Sequence, residues 1–172
     1  MKCAVIGSPI AHSLSPVLHR AAYAELGLDW EYDRREVTAA EVRDFIEGLD
    51  RTWRGLSVTM PCKRAIVPLG EPDPVVAALG VGNTLIFDGQ PGDRAATRVH
   101  NTDVTGIQLV LGALDPAARI VVYGNGATAR SCVYALAGLG VGRVAVRARD
   151  AAKTVGLAAD GAAWGIAVAP AD

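Results

Sequence analysis

The feature that most constrains the fold is the alternation, along the whole chain, of short β-branched runs with stretches of helical periodicity. Cys3–Ile6 is the first such run, and Ile120–Tyr123 opens a second series. This alternation is typical of α/β proteins with largely parallel strands, because each helix returns the chain across its sheet. We therefore predict an N-terminal α/β domain with a mostly parallel sheet over residues 1–103 and a second α/β unit over residues 104–172.

Composition and charge exclude several classes of protein. The chain is 51% hydrophobic and 20% charged, which predicts a packed core, and its net charge of −1 argues against a nucleic-acid partner. A membrane span requires a run of about 18 apolar residues, and the sequence contains no such run. The cysteines, Cys3, Cys62 and Cys132, are far apart, so neither a disulfide framework nor a metal site is indicated. We expect a cytoplasmic protein with reduced thiols.

In the first unit, turn and capping residues divide the chain into elements. Ser15-Pro16 predicts a helix start with Ser15 as N-cap, and Pro61 predicts another helix. The residues Thr38 to Glu41 form a capping box, and Asp73-Pro74 opens a short helix that ends at Gly80. A buried stripe on the first helix is predicted from Val17, Leu18, Ala21, Ala22 and Leu26.

A glycine-rich turn marks the second unit, whose elements follow the order β-α-β-α-β of a half dinucleotide-binding fold. Gly124-x-Gly126-x-x-Ala129 comes after a strand and before a helix. The first glycine permits a tight turn, the second lets the backbone approach a pyrophosphate, and a small third residue allows close helix packing. A structural turn without a ligand is the alternative, since glycine is common between strands and helices.

The choice of nucleotide depends on residues after the second strand of this unit. Arg147, Arg149 and Lys153 are three cations where a ribose 2′-phosphate is expected, which favours NADP. A solvated helix start is the alternative for these charges, and Asp150 leaves NAD open.

Polar clusters follow apolar elements in the first unit. They are the segments 12–16 and 57–63 and the pairs Asn83-Thr84 and Asn101-Thr102, the last followed by Asp103. Each cluster alone is explained by capping and turn chemistry. Lys63 alone would be an ordinary surface lysine.

Together these clusters resemble the motifs of the shikimate dehydrogenase family, which includes the quinate/shikimate dehydrogenases. The segment from Ser8 to Pro16 is similar to its substrate-carboxylate motif, and the segment from Thr59 to Lys63 to its V-T-x-P-x-K motif. Gly82-Asn83-Thr84 is similar to the A-V-N-T motif of the family, and Asn101-Thr102-Asp103 is similar to its N-T-D motif. Residues 124–130 are similar to its glycine-rich loop, and Ala148-Arg149-Asp150 with Lys153 is similar to its N-R-T-x-x-R stretch.

The resemblance implies NADP-linked interconversion of shikimate and 3-dehydroshikimate in aromatic amino-acid biosynthesis. It implies that Ser13 and Ser15 bind the substrate carboxylate, while Thr59, Lys63, Asn83 and Asp103 surround the ring hydroxyls. It also implies a Rossmann-type second domain, with a cofactor site formed by Gly124, Asn125, Gly126, Ala127, Thr128, Ala129, Ala148, Arg149 and Lys153.

Proton transfer is required by the chemistry itself. A hydride leaves a carbinol carbon only as the O–H proton departs, so an acid/base must lie within hydrogen-bond reach. We interpret Lys63 as that group and Asp103 as its partner, although the sequence does not apportion the proton between them.

Some residues depart from the family pattern. Ser57, Ala127 and Ala148 replace an asparagine, a glycine and an asparagine, and Cys62 is either a packed thiol or one with a lowered pKa. The family is longer, so a truncated Rossmann-type unit is expected, with an open sheet edge that would allow a homodimer. Two alternatives stay open: an NAD-using quinate/shikimate dehydrogenase, and a shikimate-binding homologue without turnover.

Overall fold

The computed structural model describes residues 1–115, 117–150, 152 and 154–171. Two compact units are present, one spanning Met1–Asn101 and the other starting at Thr102. Each unit has a hydrophobic cluster of its own. Among the described residues, no helix has the length and apolar character needed to cross a membrane.

The first unit is built around a six-stranded sheet with the order β2-β1-β3-β5-β6-β4. β5 is antiparallel to both of its neighbours, and every other pair is parallel, which confirms the predicted mostly parallel sheet. The strands and helices are β1 (Lys2–Gly7), α1 (Ser15–Glu25), β2 (Glu31–Glu36), α2 (Val42–Glu47), β3 (Trp53–Val58), β4 (Glu71–Pro72), α3 (Pro74–Leu79), β5 (Thr84–Phe87) and β6 (Thr97–His100).

The larger buried cluster of this unit lies on one face of the sheet. Ala4 and Ile6 are two residues apart in β1, so they point to the same side, where they join Leu56, Val58 and Phe87 in one buried cluster. Ile6 is 0% exposed. Burial of a side chain of this size contributes roughly 2 kcal/mol. The inward-facing side chains of the strands therefore stabilise the sheet, and with it the positions at which the strands end.

The predicted buried stripe of α1 is wrong. Val17 and Leu18 are 62% and 68% exposed. The helix packs through a different face, on which the His19 ring stacks on Tyr32 with 4.0 Å between ring centroids, and Arg20 Nε donates a hydrogen bond to the Tyr32 carbonyl at 2.8 Å. The stacking of His19 on Tyr32 determines the orientation of the helix. The spacing of the aliphatic residues alone does not predict that orientation.

The helix predicted at Pro61 is also wrong, because turns and a short 3₁₀ segment (Val67–Leu69) follow Met60. Pro68 lies inside that segment and Gly70 ends it, and a proline in a longer helix would remove one of its hydrogen bonds. The predicted short helix, by contrast, is present. Asp73 caps α3, and Gly80 ends it in the left-handed conformation.

The capping box before α2 is present in a shifted form. Glu41 Oε2 accepts hydrogen bonds from the Thr38 N–H at 3.0 Å and from its hydroxyl at 2.7 Å. The helix begins at Val42, three residues later than a box capped by Thr38 predicts, and ends before Gly48 as predicted. The box therefore closes the turn that leads into the helix.

The second unit contains three parallel strands in the order β7-β8-β9. Its elements are α4 (Thr102–Leu111), β7 (Val121–Tyr123), α5 (Ala127–Gly138), β8 (Arg143–Arg147), α6 (Thr154–Ala163) and β9 (Ala167–Pro170). From β7 onward this is the predicted β-α-β-α-β order. Val122, Val144 and Leu136 belong to its buried cluster.

Candidate active site

The polar clusters of the first unit lie at one edge of its sheet. β1 and β3 are parallel, so the loops that follow both strands start at the same edge. β5 runs the opposite way and brings its first residues to this edge, whereas β6 reverses again and brings its last. The residues after Gly7 and Val58, before Thr84 and after His100 therefore meet there.

The turn after β3 is fixed against the end of β1. The Thr59 N–H donates to the Ile6 carbonyl at 2.9 Å, and the Ser8 N–H donates to the Met60 carbonyl at 3.0 Å. A Cβ atom on Gly7 would lie 2.5 Å from Thr59 Cγ2 and 2.6 Å from the Met60 oxygen. Only glycine fits this approach, which places Thr59 beside the start of the serine-containing loop.

Two serine hydroxyls contact each other at the start of α1. Ser13 Oγ donates to Ser15 Oγ at 3.2 Å and accepts from the Ser15 N–H at 3.3 Å. The prediction of Ser15 as the N-cap is wrong, since Ser15 is the first helical residue and Leu14 occupies the cap position. Hydroxyl protons rotate freely, so this pair is able to donate to an anion.

Lys63 is buried, with 8% of its surface exposed. The Lys63 carbonyl accepts from the Gly82 N–H at 2.9 Å, and the neighbouring Asn83 N–H donates to the His100 carbonyl at 2.9 Å. These bonds join the turn after β3 to the start of β5 and the end of β6. A lysine with so little exposure needs polar neighbours for its ammonium.

The third cluster starts inside the first unit and continues into the second. Asn101 is 4% exposed and donates from Nδ2 to the Val81 carbonyl at 3.0 Å. Asp103 lies in the first turn of α4, where the helix dipole favours a carboxylate. The structure thus brings the five predicted substrate residues of the first unit to one sheet edge, namely Ser13, Ser15, Thr59, Lys63 and Asn83. Asp103 lies at the start of the next unit.

Sequence reasoning missed Tyr32, the second residue of β2. Its ring is 2% exposed, and its hydroxyl donates to Ser57 Oγ at 2.6 Å. Burial raises the pKa of Tyr32, while hydrogen bonds with Ser57 and Ser15 act in the opposite direction. Only its position between the charged residues Glu31 and Asp33 marked it as an inward-facing polar group.

Cys62 is a packed thiol. It is 0% exposed, and its Sγ donates to the Val37 carbonyl at 3.2 Å. Burial, and to a lesser extent the charge of Glu41, raises the pKa of this thiol. The alternative of a lowered pKa is therefore wrong.

The glycine-rich turn of the second unit borders a cavity of about 740 Å³ lined by residues 123–126 and 147–150. Gly124 has φ +102° and donates to the Arg147 carbonyl at 2.8 Å. A Cβ on Gly126 would meet no atom within 4 Å, so the backbone there is open to a ligand. Ala127 and Thr128 begin α5, whose first N–H groups have no acceptor within the helix, while Ala129 packs into the core.

The cations after β8 lie beside this cavity. Arg147 ends the strand, Ala148 is half-buried, and Arg149 is exposed. Asp150 uses one carboxylate oxygen to accept from the Ala152 N–H at 3.1 Å, and its carbonyl accepts from Asn125 Nδ2 at 3.2 Å. Lys153 lies outside the described residues.

Comparison with known sequences gives a consistent result. Residues 5–85 match the family described as the shikimate dehydrogenase substrate binding domain. The chain is 35% identical to a shikimate dehydrogenase (NADP(+)) of Natronomonas pharaonis over 91% of its own length and 58% of the relative's. A relative of the same name from Sphingopyxis alaskensis is 39% identical over 90% of this chain and 57% of the relative.

Solved structures agree. The shikimate dehydrogenase of Mycobacterium tuberculosis is 41% identical, with a TM-score of 0.86 over 99% of this chain and 62% of that one. The Thermus thermophilus enzyme in complex with NADP(H) and shikimate has 29% identity and a TM-score of 0.83, over 99% of this chain and 63% of that one. The chain thus spans about three fifths of the proteins that it matches.

Fold and site define an α/β protein in which a polar sheet edge is followed by a nucleotide-type glycine turn. Residues 5–85 match the substrate binding domain of the shikimate dehydrogenase family, and the chain is similar to members of that family over nine tenths or more of its own length.

Proposed function

We propose that the protein is an NADP-dependent oxidoreductase that interconverts 3-dehydroshikimate and shikimate in the pathway to the aromatic amino acids, in the cytoplasm. The observation that carries this proposal is the gathering of Ser13, Ser15, Thr59, Lys63 and Asn83 at one sheet edge, since these are the residues that match the family motifs. The two relatives described above bear the name shikimate dehydrogenase (NADP(+)), which supports the same reaction.

The substrate would lie across that edge. The hydroxyls of Ser13 and Ser15, which are already 3.2 Å apart, donate to its carboxylate. Thr59, Asn83 and Lys63 face the ring hydroxyls, with Asp103 contributed from the start of α4. The part of this sheet edge that carries the serines therefore recognises the charged carboxylate, and the part that carries Thr59, Lys63 and Asn83 recognises the ring hydroxyls.

The reaction couples one proton to one hydride. In the reducing direction, the Lys63 ammonium donates a proton to the carbonyl oxygen as the hydride reaches its carbon, and oxidation reverses both transfers. The bound nicotinamide supplies or accepts the hydride. We assign Asp103 the role of stabilising the ammonium charge, and a proton taken up from solvent restores Lys63 after each reduction.

The glycine turn fits a dinucleotide. The positive φ of Gly124, the open backbone at Gly126 and the adjacent cavity together allow a pyrophosphate to reach the N-terminus of α5. Arg149, with Arg147 and Lys153, would hold the 2′-phosphate.

Calorimetry with shikimate and with NADP⁺, followed by the absorbance of NADPH as both are mixed with the chain, tests the proposal. We expect both ligands to bind and NADPH to form. Equal use of NAD would favour the quinate/shikimate dehydrogenase alternative, whereas shikimate binding without NADPH formation would favour a binding homologue. Failure to bind shikimate would refute the proposal.

Association of two chains stays a prediction. β7 and β9 are the outer strands of their sheet within the part of the chain that the structure describes, and an outer strand offers unpaired backbone groups. Sedimentation analysis measures whether a homodimer forms.

A further inference from the structure

Asp73 makes more contacts than a helix cap requires. One carboxylate oxygen accepts the Val76 N–H at 2.7 Å, which is the usual capping bond. The other oxygen lies 3.1 Å from His100 Nδ1 and 3.4 Å from the Asn101 backbone N–H. Because a carboxylate only accepts, His100 must donate from Nδ1. Asp73 therefore binds two elements at once: the start of α3 and the end of β6.

The residues held by the second oxygen are directly connected to the proposed site. The His100 carbonyl accepts the Asn83 N–H at 2.9 Å. Asn101 is followed two positions later by Asp103. The Asp73 N–H in turn donates to the Val99 carbonyl at 2.9 Å, which anchors the clamp to β6 itself. The side chain of Asp73 is 20% exposed, so these bonds are partly shielded from water.

We propose that Asp73 is a positioning residue, which orients Asn83 and the residues leading to Asp103 through its contacts with His100 and Asn101. The inference rests on the proposed function, because it concerns the residues assigned to the ring hydroxyls. A helix cap alone would explain the Val76 bond but not the two contacts of the other oxygen.

Replacement of Asp73 by serine separates the two roles. Serine ranks with aspartate as an N-cap, so Asp73→Ser keeps the acceptor for Val76, but its one short hydroxyl cannot also reach His100 and Asn101. We expect the variant to stay folded at the assay temperature, with a shikimate Kd raised roughly five- to tenfold, the range that loss of positioned hydrogen bonds produces. An unchanged Kd would overturn the proposal.

A matched control is available in Asp93→Ser. Asp93 caps a turn by accepting from the Ala95 N–H at 3.0 Å, and it lies in the loop between β5 and β6. We expect no change in the Kd for shikimate from this variant.

Two substitutions of His100 test the clamp without altering the cap. His100→Leu removes the donor and should raise the Kd, whereas His100→Asn keeps a donor near the position of Nδ1 and should restore it. An unchanged Kd in His100→Leu would contradict the proposal even if Asp73→Ser fails to fold.

Amide hydrogen exchange distinguishes this inference from the function on which it rests. In the absence of ligand, the peptide covering residues 97–103 should exchange faster in Asp73→Ser than in the wild type. If the wild type binds no shikimate, the proposed function fails, and the clamp is still supported or refuted by this exchange rate.

Discussion

Lys63 combines burial with a place beside several backbone hydrogen bonds, and its 8% exposure separates it from an ordinary surface lysine. The hydrogen bonds beside Lys63 join the turn after β3 to the residues before β5, so neither segment alone produces this environment. A buried lysine that is surrounded by backbone polar groups is a reasonable choice for proton transfer.

We expect Lys63→Met to lower turnover by at least about a hundredfold, the usual contribution of a positioned acid/base group. Shikimate binding, measured by calorimetry, should change less, because methionine keeps much of the side-chain volume. Arg64→Met is the matched control, since Arg64 is the exposed cation next in the chain. Equal turnover in the two variants would remove Lys63 from the mechanism.

Cys62 should resist alkylation in the folded protein. Burial raises the pKa of this thiol, so less of the reactive thiolate is present at mild alkaline pH than in a free cysteine. Mass spectrometry after treatment with iodoacetamide at about pH 8, near the ordinary cysteine pKa, should find Cys62 unlabelled until denaturant is added. Rapid labelling of native protein would contradict its packed environment.

At the scale of elements, the strands whose ends carry motif residues were predictable, and the surface through which α1 packs was not. Turn residues such as Asp73 and Gly80 bound an element locally, so α3 follows from the sequence. The packing of α1 depends on the contact of His19 with Tyr32, thirteen positions away, and no local periodicity encodes that contact. Tyr32 was missed as a site neighbour for the same reason.

The end of β8 should determine the choice of cofactor. Arg149→Ala should raise the Kd for NADP⁺ about tenfold or more, the effect of losing a charged hydrogen bond, and leave that for NAD⁺ nearly unchanged. Arg143→Ala, at the other end of the same strand, serves as the control. Equal losses for both nucleotides in calorimetry would refute a 2′-phosphate role for Arg149.

The turn before α2 should give the protein a measurable dependence on acid. Hydrogen bonds from Thr38 lower the pKa of Glu41 in the folded state. The folded state therefore favours the carboxylate, and the resulting stability is present above the ordinary glutamate pKa and lost as pH falls through the lowered one. In urea unfolding, Glu41→Gln should be less stable than the wild type at neutral pH, and the difference should shrink in acid.

Glu25→Gln is the control for that measurement, because Glu25 is an exposed glutamate at the end of another helix. A difference for Glu41→Gln that persists unchanged in acid would show that the Thr38 contacts do not depend on the charge.

At the scale of the whole molecule, two units with separate hydrophobic clusters should bind their ligands separately. Gly124 has φ +102°, a conformation that a β-branched residue rarely adopts. Gly124→Val should therefore weaken NADP⁺ binding by about fivefold to 150-fold, because strain of about 1–3 kcal/mol would fall on the turn. Shikimate affinity should stay within error by calorimetry, and a parallel loss of both ligands would argue against separate units.

The class of fold and most of the order of its elements were predictable because strand, turn and glycine chemistry are local, but the helix predicted at Pro61 is wrong and β4 was not predicted. The single site edge of the first unit was less so. It requires β5 to run against its neighbours, and that direction follows from the hairpin with β6 rather than from the motif residues themselves.

The reversal of β5 also has a practical consequence for labelling the protein. The first residue of β5 and the last residue of β6 both lie at the sheet edge that carries the site. The loop around Gln90, which connects the two strands, therefore lies at the opposite edge, roughly 13 Å from the site edge for strands of four residues. A fluorophore or an affinity tag introduced there would report on the molecule while leaving its chemistry undisturbed.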